Sequence, residues 1–211
     1  MNPAKSALPL VLASISAPTR KLVRLITLAL LAAVVMPAVS TLSTVARAGE
    51  LAGARLPDTL TAGGKTVKLN GLGLRKKSMF KVYVGGLYLE SPSKDPEAIL
   101  AADQAKAIRL SFLRDLTKAQ LVDAFREDFE ANAKDKAGQR AAFDQMLTLI
   151  SNVKEGDTLT FSYGPGKGTT LQIGDKKLGV FEGKGFAAAV FSIWLGKKPP
   201  TEELKKGMLG S

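Results

Sequence analysis

The sequence predicts an α+β protein with an antiparallel sheet, and three observations lead to that prediction. Residues 79–89 are apolar on both alternating faces, which is typical of a central strand covered on both sides. Two amphipathic helical patterns follow one another at 118–133 and 139–153. Three short alternating segments between residues 158 and 181 are separated by glycine turns, which predicts an antiparallel meander.

The central strand is preceded by a second strand and contains two glycines. Residues 65–69 alternate and predict a strand that leads into Gly71. Gly85 and Gly86 weaken the strand that contains them. We therefore expect either a close approach to the backbone at these two glycines or a bend there.

The helical segments carry signals at their ends. Thr117 is a candidate N-cap for the first long helix, and Gly138 interrupts the pattern before the second. The remaining predicted elements are a short helix at 97–102, a strand at 107–113, a strongly apolar and buried helix at 185–195, and a short helix at 201–210.

Arg75, directly before the central strand, is the first candidate ligand-binding residue. A three-residue loop at 76–78 would pair Arg75 with Met79. Arg75 would then share a face with Tyr83, roughly 13 Å away at ~3.3 Å per residue, with Lys81 between them. Such a group can bind an acidic or phenolic small molecule. The alternative is a surface arginine at a turn and a buried tyrosine with a satisfied hydroxyl.

The composition excludes several classes of function. The chain has no cysteine and no histidine, which excludes disulfides, thiol nucleophiles, Cys/His zinc sites, His-ligated haem and Ser-His-Asp triads. We expect no metal and no cofactor. Beyond residue 48 there are 25 basic and 19 acidic residues, with no arginine-rich tract, so we expect no nucleic-acid partner.

Residues 1–48 have the pattern of an export signal. Basic residues between 20 and 24 precede an uncharged, apolar segment at 25–46. Small residues at Ala46 and Ala48 suit cleavage before Gly49. We expect a domain at 49–211 with no stable membrane insertion after cleavage. An uncleaved inner-membrane anchor is the alternative, because 22 uncharged residues can span a bilayer. The oligomeric state stays open.

Several motifs occur in an order that resembles the chalcone isomerase-like family, specifically its bacterial exported branch. They are Arg75 before FKVYVGGLYLE, then FLRDL, GDTLTFSY, LGVFEG and FAAAVFSIWLG, followed by PPTEELKKGMLG. The resemblance covers roughly residues 55–210. It implies a periplasmic protein and an open-faced β-sandwich, in which a long antiparallel sheet carries a helical layer on one face. It also implies a ligand cleft between the sheet and the helices.

The resemblance assigns roles to individual positions. Arg75 stands where plant chalcone isomerases have the arginine that holds and polarises the substrate, and Tyr83 stands at their supporting threonine. The fatty-acid-binding branch is similar to this chain in having an Arg and a Tyr that grip a carboxylate. Leu121 replaces a helix tyrosine of the plant enzymes, and Ser192 or Ile193 stands at their late-helix polar contact.

Our first hypothesis is a non-catalytic binder of a small hydrophobic anion such as a fatty acid or aromatic acid. Arg75 would pair with the charge, Tyr83 would add a hydrogen bond, and Lys81 is a further candidate contact. The expected apolar wall consists of Phe125, Phe129, Phe186 and Val190.

Two alternatives remain at this stage. The first is a chalcone isomerase-type intramolecular lyase, in which Arg75 stabilises an oxyanion and is the catalytic residue. The second is a structural or partner-binding module of the cell envelope. A filled core in place of the cleft, with Arg75 paired to a neighbouring carboxylate, would favour that module.

Overall fold

A computed structural model describes residues 49–211. Seven strands between Thr59 and Phe181 make one sheet in chain order, and each is antiparallel to its neighbours. The predicted signal at 1–48 lies outside the described residues. The strands are β1 (Gly49–Leu51), β2 (Ala54–Leu56), β3 (Thr59–Ala62), β4 (Lys65–Lys77), β5 (Phe80–Leu89), β6 (Lys106–Phe112), β7 (Thr158–Gly164), β8 (Gly168–Ile173) and β9 (Lys176–Phe181).

Five helices accompany the sheet in the described part of the chain, and the predicted α+β class and open-faced sandwich are confirmed. None of these helices is long and apolar enough to cross a membrane. They are α1 (Pro96–Ala101), α2 (Lys118–Asn132), α3 (Lys136–Thr148), α4 (Lys184–Leu195) and α5 (Glu202–Met208).

The helix ends follow local side-chain chemistry. Thr117 is the N-cap of α2, and its side chain forms a reciprocal capping box with Gln120, which confirms the prediction. The predicted break at Gly138 is wrong. Asp135 caps α3 by accepting a hydrogen bond from the Gly138 amide, so Gly138 lies in the first turn.

The β4–β5 hairpin differs from the predicted one. Strand β4 continues to Lys77, which pairs with Phe80, so the loop has two residues rather than three. Ser78 enables this tighter turn by adopting a φ of 54°. A register shift between Arg75 and Lys76 then brings Arg75 directly opposite Tyr83.

Glycines in β4 allow helix α5 to lie directly on the strand. A Cβ on Gly73 would be 2.1 Å from the Leu204 carbonyl oxygen, and one on Gly71 would be 2.3 Å from that of Gly207. At Gly85 in β5, an added Cβ would meet the Leu204 side chain at 3.1 Å. The close approach expected at the β5 glycines is therefore made in part by α5, which packs on Gly85.

Two hydrophobic clusters cover the sheet. The larger cluster joins the sheet to the helices and contains an aromatic group of Phe125, Phe161 and Trp194 with ring centroids 5.2–6.0 Å apart. The smaller cluster lies beneath β1 and β2, where Leu56 packs with Tyr88. Both clusters use residues of 49–211, so this segment contains its own core.

Candidate ligand-binding site

A cleft of about 310 Å³ lies between the β4–β5 hairpin and the first half of α2. The hairpin contributes one wall and α2 contributes the other, while the segment after β6 closes one side through Leu116. The position agrees with a cleft between the sheet and the helical layer. Its apolar surface comes from Phe80, Val82, Leu116, Leu121 and Phe125.

The charged lining of this cleft is entirely basic. Arg75 and Lys77 come from the hairpin, and Arg114 comes from the segment after β6. None of the described residues that line the cleft is acidic. An apolar cavity with several cations suits a guest that is both hydrophobic and negatively charged.

Arg75 and Tyr83 form the polar centre of the cleft. The Arg75 Cζ atom lies 5.6 Å from the centroid of the Tyr83 ring, a cation–π arrangement. The Tyr83 hydroxyl accepts a hydrogen bond from Trp194 Nε1 at 3.0 Å. Burial raises the pKa of Tyr83, although Arg75 and Trp194 act in the opposite direction. The phenol therefore stays protonated near neutral pH and can donate its own hydrogen to a guest.

Asp128 on α2 is the nearest compensating charge for Arg75. Arg75 Nη1 and Asp128 Oδ2 are 3.9 Å apart, which is too long for a hydrogen bond. Oδ2 is buried and has no hydrogen-bond partner among residues 49–211. Burial raises the Asp128 pKa to about 6 despite the attraction of Arg75. The pair is thus weak, and the guanidinium, with its side chain only 15% exposed, is only partly neutralised.

The structure brings some of the predicted site residues together. Arg75, Tyr83 and Phe125 all line the cleft. The predicted spacing of roughly 13 Å along the sheet is wrong, because Arg75 and Tyr83 are directly paired. The predicted position of Lys81 between them is wrong for the same reason: Lys81 pairs with Lys76, is exposed and does not line the cleft.

Three of the predicted wall residues lie in the packed core instead. The Phe129 ring stacks on Phe143 at 4.0 Å, and the Phe186 ring stacks on Phe181 at 5.1 Å. Val190 is fully buried, and none of Phe129, Phe186 and Val190 lines the cleft. The helical layer is therefore filled at α4, and the open space is confined to the hairpin end.

The positions compared with plant chalcone isomerases differ in their access to the cleft. Leu121 lines it with an aliphatic side chain. Ser192 donates a hydrogen bond to the Ala189 carbonyl at 2.7 Å within α4, and neither it nor Ile193 lines the cleft. The side chains of this cleft therefore provide a polar centre at Arg75 and Tyr83 and an apolar wall that includes Leu121.

Two residues near the cleft have no assigned role in the sequence analysis. Arg114 follows β6 in the FLRDL motif, and its Cζ atom lies 4.9 Å from the Phe80 ring centroid. Asp128 lies three residues after Phe125, a spacing that puts both on one face of α2. This spacing is the sequence signal for Asp128. For Arg114 the signal is its position directly after β6, which is the antiparallel neighbour of β5. In the described residues no group of three or more acidic side chains could hold a metal ion.

Comparisons with known proteins agree with this architecture. A sequence model of the family described as chalcone isomerase-like matches residues 48–210. A solved structure of a fatty-acid binding protein from Arabidopsis thaliana matches with a TM-score of 0.64 at 18% identity, over 77% of this chain and 95% of that chain. No curated protein matches the sequence. The structural likeness establishes the shared fold, and the extent of the family match shows that the chain belongs to the chalcone isomerase-like family.

Proposed function

We propose that residues 49–211 form a non-catalytic binding domain for a small hydrophobic anion, such as a fatty acid or an aromatic acid. The observation that carries this proposal is a partly neutralised arginine beside a protonated tyrosine in an apolar cleft. The name of the Arabidopsis thaliana protein supports a carboxylate lipid as one class of ligand.

A carboxylate can satisfy both polar groups at once. Arg75 offers several N–H donors in a planar fork, and Tyr83 offers one O–H donor from the adjacent strand. A hydrogen bond to a charged group in such a setting contributes about 1.5–3 kcal/mol. The remaining affinity would come from apolar contacts with Leu121 and Phe125, at about 0.8 kcal/mol per buried methylene.

The size of the cleft favours a small guest. Its volume of about 310 Å³ lies at the lower end of the range of roughly 300–1,000 Å³ for small-molecule sites. The filled core around Phe129 and Phe186 leaves no deeper space for a long chain. We therefore favour an aromatic or short-chain acid, or a longer acid whose tail extends towards the open end of the cleft.

We also propose that this chain belongs to the bacterial exported branch of its family and acts in the periplasm. The supporting pattern is the basic, then apolar, then small-residue order of residues 1–48. Mass determination of the protein recovered from the periplasm tests this proposal. A mass equal to that of residues 49–211 supports cleavage before Gly49. Full-length protein in the membrane fraction supports the anchor.

The decisive experiment is calorimetry with a panel of octanoate, dodecanoate and 4-hydroxycinnamate. We expect Arg75→Ala to reduce the affinity for the best ligand at least ten-fold while the melting transition stays cooperative. Arg55→Ala is the matched control, because Arg55 is exposed on β2, pairs with Glu50 and does not line the cleft. Equal affinities of wild type and Arg75→Ala would reject the proposal.

One observation keeps the isomerase alternative in view. Asp128, with a pKa of about 6, is a group next to Arg75 that can exchange a proton near neutral pH. Leu121 argues against the isomerase, because its aliphatic side chain stands where the plant enzymes have a tyrosine. Turnover of a chalcone that is eliminated by both Arg75→Ala and Asp128→Asn would favour the enzyme over the binder.

The structural-module alternative is supported by one feature and opposed by another. The pairing of Arg75 with Asp128 is the contact that such a module predicts. The open cleft beside Arg75 opposes this alternative, because a purely structural core would be filled there.

A further inference from the structure

We propose that the tip of the β4–β5 hairpin docks on an anionic lipid bilayer surface and so places the mouth of the cleft at the membrane interface. We define the hairpin tip as residues 76–81. This inference goes beyond the proposed ligand site, because it concerns a separate surface and stands even if the cleft binds a different guest.

The first observation is an exposed apolar pair at this tip. Met79 is 87% exposed and Phe80 is 57% exposed, the highest values for large hydrophobic residues in the described chain. The next most exposed, Val180, is at 40% on β9 and has no exposed large hydrophobic neighbour in sequence. Two adjacent side chains of this size on a protruding turn need a partner more than scattered surface residues do.

The second observation is the backbone that presents them. Ser78 and Met79 form the two-residue loop between the paired Lys77 and Phe80. Ser78 adopts a φ of 54°, a region that a glycine occupies with less strain. The tight turn ends a long strand pair and holds Met79 at its outermost point.

The third observation is a group of cations around the apolar pair. Lys76, Lys77 and Lys81 are exposed on the rungs next to the turn. Arg114 approaches from the neighbouring segment, with its Cζ atom 4.9 Å from the Phe80 ring centroid. No acidic residue occurs between Arg75 and Tyr83. An apolar point surrounded by cations is complementary to anionic headgroups above an acyl layer.

The size of the surface favours a bilayer over a macromolecular partner. Two apolar side chains are far short of the roughly 1,200–2,000 Å² that a stable protein interface buries. Arg114 already lies against the Phe80 ring, which leaves that ring less available for stacking on a nucleic-acid base. A membrane needs only shallow insertion of a few apolar side chains with cations at the headgroup level.

The tip and the cleft are parts of the same hairpin. Lys77, Ser78 and Phe80 line the cleft, while the neighbouring Met79 does not line it and is exposed. Docking through Met79 would therefore set the cleft mouth against the bilayer. A guest with an anionic head and an apolar tail could then pass between the two without crossing bulk water.

The test uses segment 49–211 and vesicles of phosphatidylcholine alone or mixed with phosphatidylglycerol. The chain has no cysteine, so Met79→Cys gives a unique site for an environment-sensitive fluorophore. We expect a blue shift with the anionic vesicles, little with the neutral ones, and loss of the shift in high salt. Val180→Cys is the matched control and should show no shift.

Charge-reversal variants test the cationic group in a flotation assay. We expect Lys76→Glu/Lys81→Glu to lower the partition onto anionic vesicles about ten-fold or more. Lys176→Glu/Lys177→Glu, an exposed pair on β9 with the same change in net charge, should have little effect. Equal losses in both pairs, or wild-type protein that binds anionic DNA but not vesicles, would overturn the proposal.

A calorimetric arm separates this surface from the ligand site. Met79 and Lys81 do not line the cleft, so Met79→Asp should lose vesicle binding and keep wild-type affinity for a soluble carboxylate. Arg75→Ala should do the reverse. Unchanged vesicle binding by Met79→Asp would contradict docking through the tip.

Discussion

At the scale of single residues, the candidate site depends on a balance between burial and charge at Asp128. Burial disfavours the ionised carboxylate more than Arg75 favours it, so the pKa rises to about 6. Glu127 raises the pKa further, and Lys77 lowers it. Arg75 therefore faces a counterion that exchanges its proton close to neutral pH, while Tyr83 keeps its proton throughout this range.

This balance predicts that carboxylate binding becomes tighter as the pH falls through about 6. Above that pH, ionised Asp128 attracts Arg75 and repels the ligand; below it, protonated Asp128 does neither. The ligand carboxylate stays ionised down to its own pKa of about 4 to 5. The affinity should increase roughly ten-fold for each unit by which bound ligand raises the Asp128 pKa.

Calorimetry from about pH 5 to about pH 8, a range that spans the titration, measures this dependence. Asp128→Asn is the control, because its side chain cannot ionise and its affinity should be nearly constant over the same range. Asp144→Asn is the matched variant, since Asp144 pairs with Arg126 away from the cleft. A wild-type affinity that falls on acidification would contradict the prediction.

At the scale of elements, local chemistry made part of the fold predictable and tertiary packing hid the rest. The Thr117 cap follows from neighbouring residues, and the sequence therefore indicates it. The Asp135 side chain reaches Gly138 and starts α3 earlier than the glycine suggests. The positive φ of Ser78, which permits the two-residue loop, and the register shift between Arg75 and Lys76, which brings Arg75 opposite Tyr83, are likewise invisible in composition.

The same limit applies to the candidate site. Arg75, Tyr83 and Phe125 could be named because they belong to regular elements with readable faces. Asp128 meets Arg75, and Arg114 meets Phe80, through the packing of α2 and of the segment after β6 against the hairpin. The helical spacing of Asp128 and the position of Arg114 after β6 indicate a face and a segment, but the contacts themselves join segments that are distant in sequence.

The contact of α5 with β4 carries the prediction at this scale. We expect Gly73→Ala to lower the free energy of unfolding by about 2–4 kcal/mol, because its Cβ would be 2.1 Å from the Leu204 backbone oxygen. Gly85→Ala is the control: its Cβ would meet side chains rather than backbone, those of Leu204 at 3.1 Å, Met208 at 3.3 Å and Leu110 at 3.5 Å. Urea denaturation measures both. Equal losses would show that backbone contact with α5 is not the cause.

At the scale of the whole molecule, the sheet and the helical layer are packed together at one end and open at the other. Around α4 the space is filled by Phe186, Phe191 and Trp194, all fully buried. At the hairpin end, α2 and the β4–β5 hairpin diverge around the cleft. The expectation that Phe129, Phe186 and Val190 form a ligand wall assumed an opening along the whole interface. The filled core instead assigns these side chains to packing, and the opening lies where the cationic tip and the polar centre meet.

This division predicts that ligand binding and stability can be lost separately. Leu121→Trp places a larger side chain in the cleft, so we expect it to abolish carboxylate binding at a stability cost of about 1–3 kcal/mol, because Leu121 is itself largely buried. Phe186→Ala removes a buried ring from the packed end and should cost about 3–5 kcal/mol while the affinity of the remaining folded protein is unchanged. Calorimetry and urea denaturation on both variants measure the two effects. If Phe186→Ala weakens binding as strongly as Leu121→Trp does, the ligand space extends through the helical layer, and the packed end is not separate from the site.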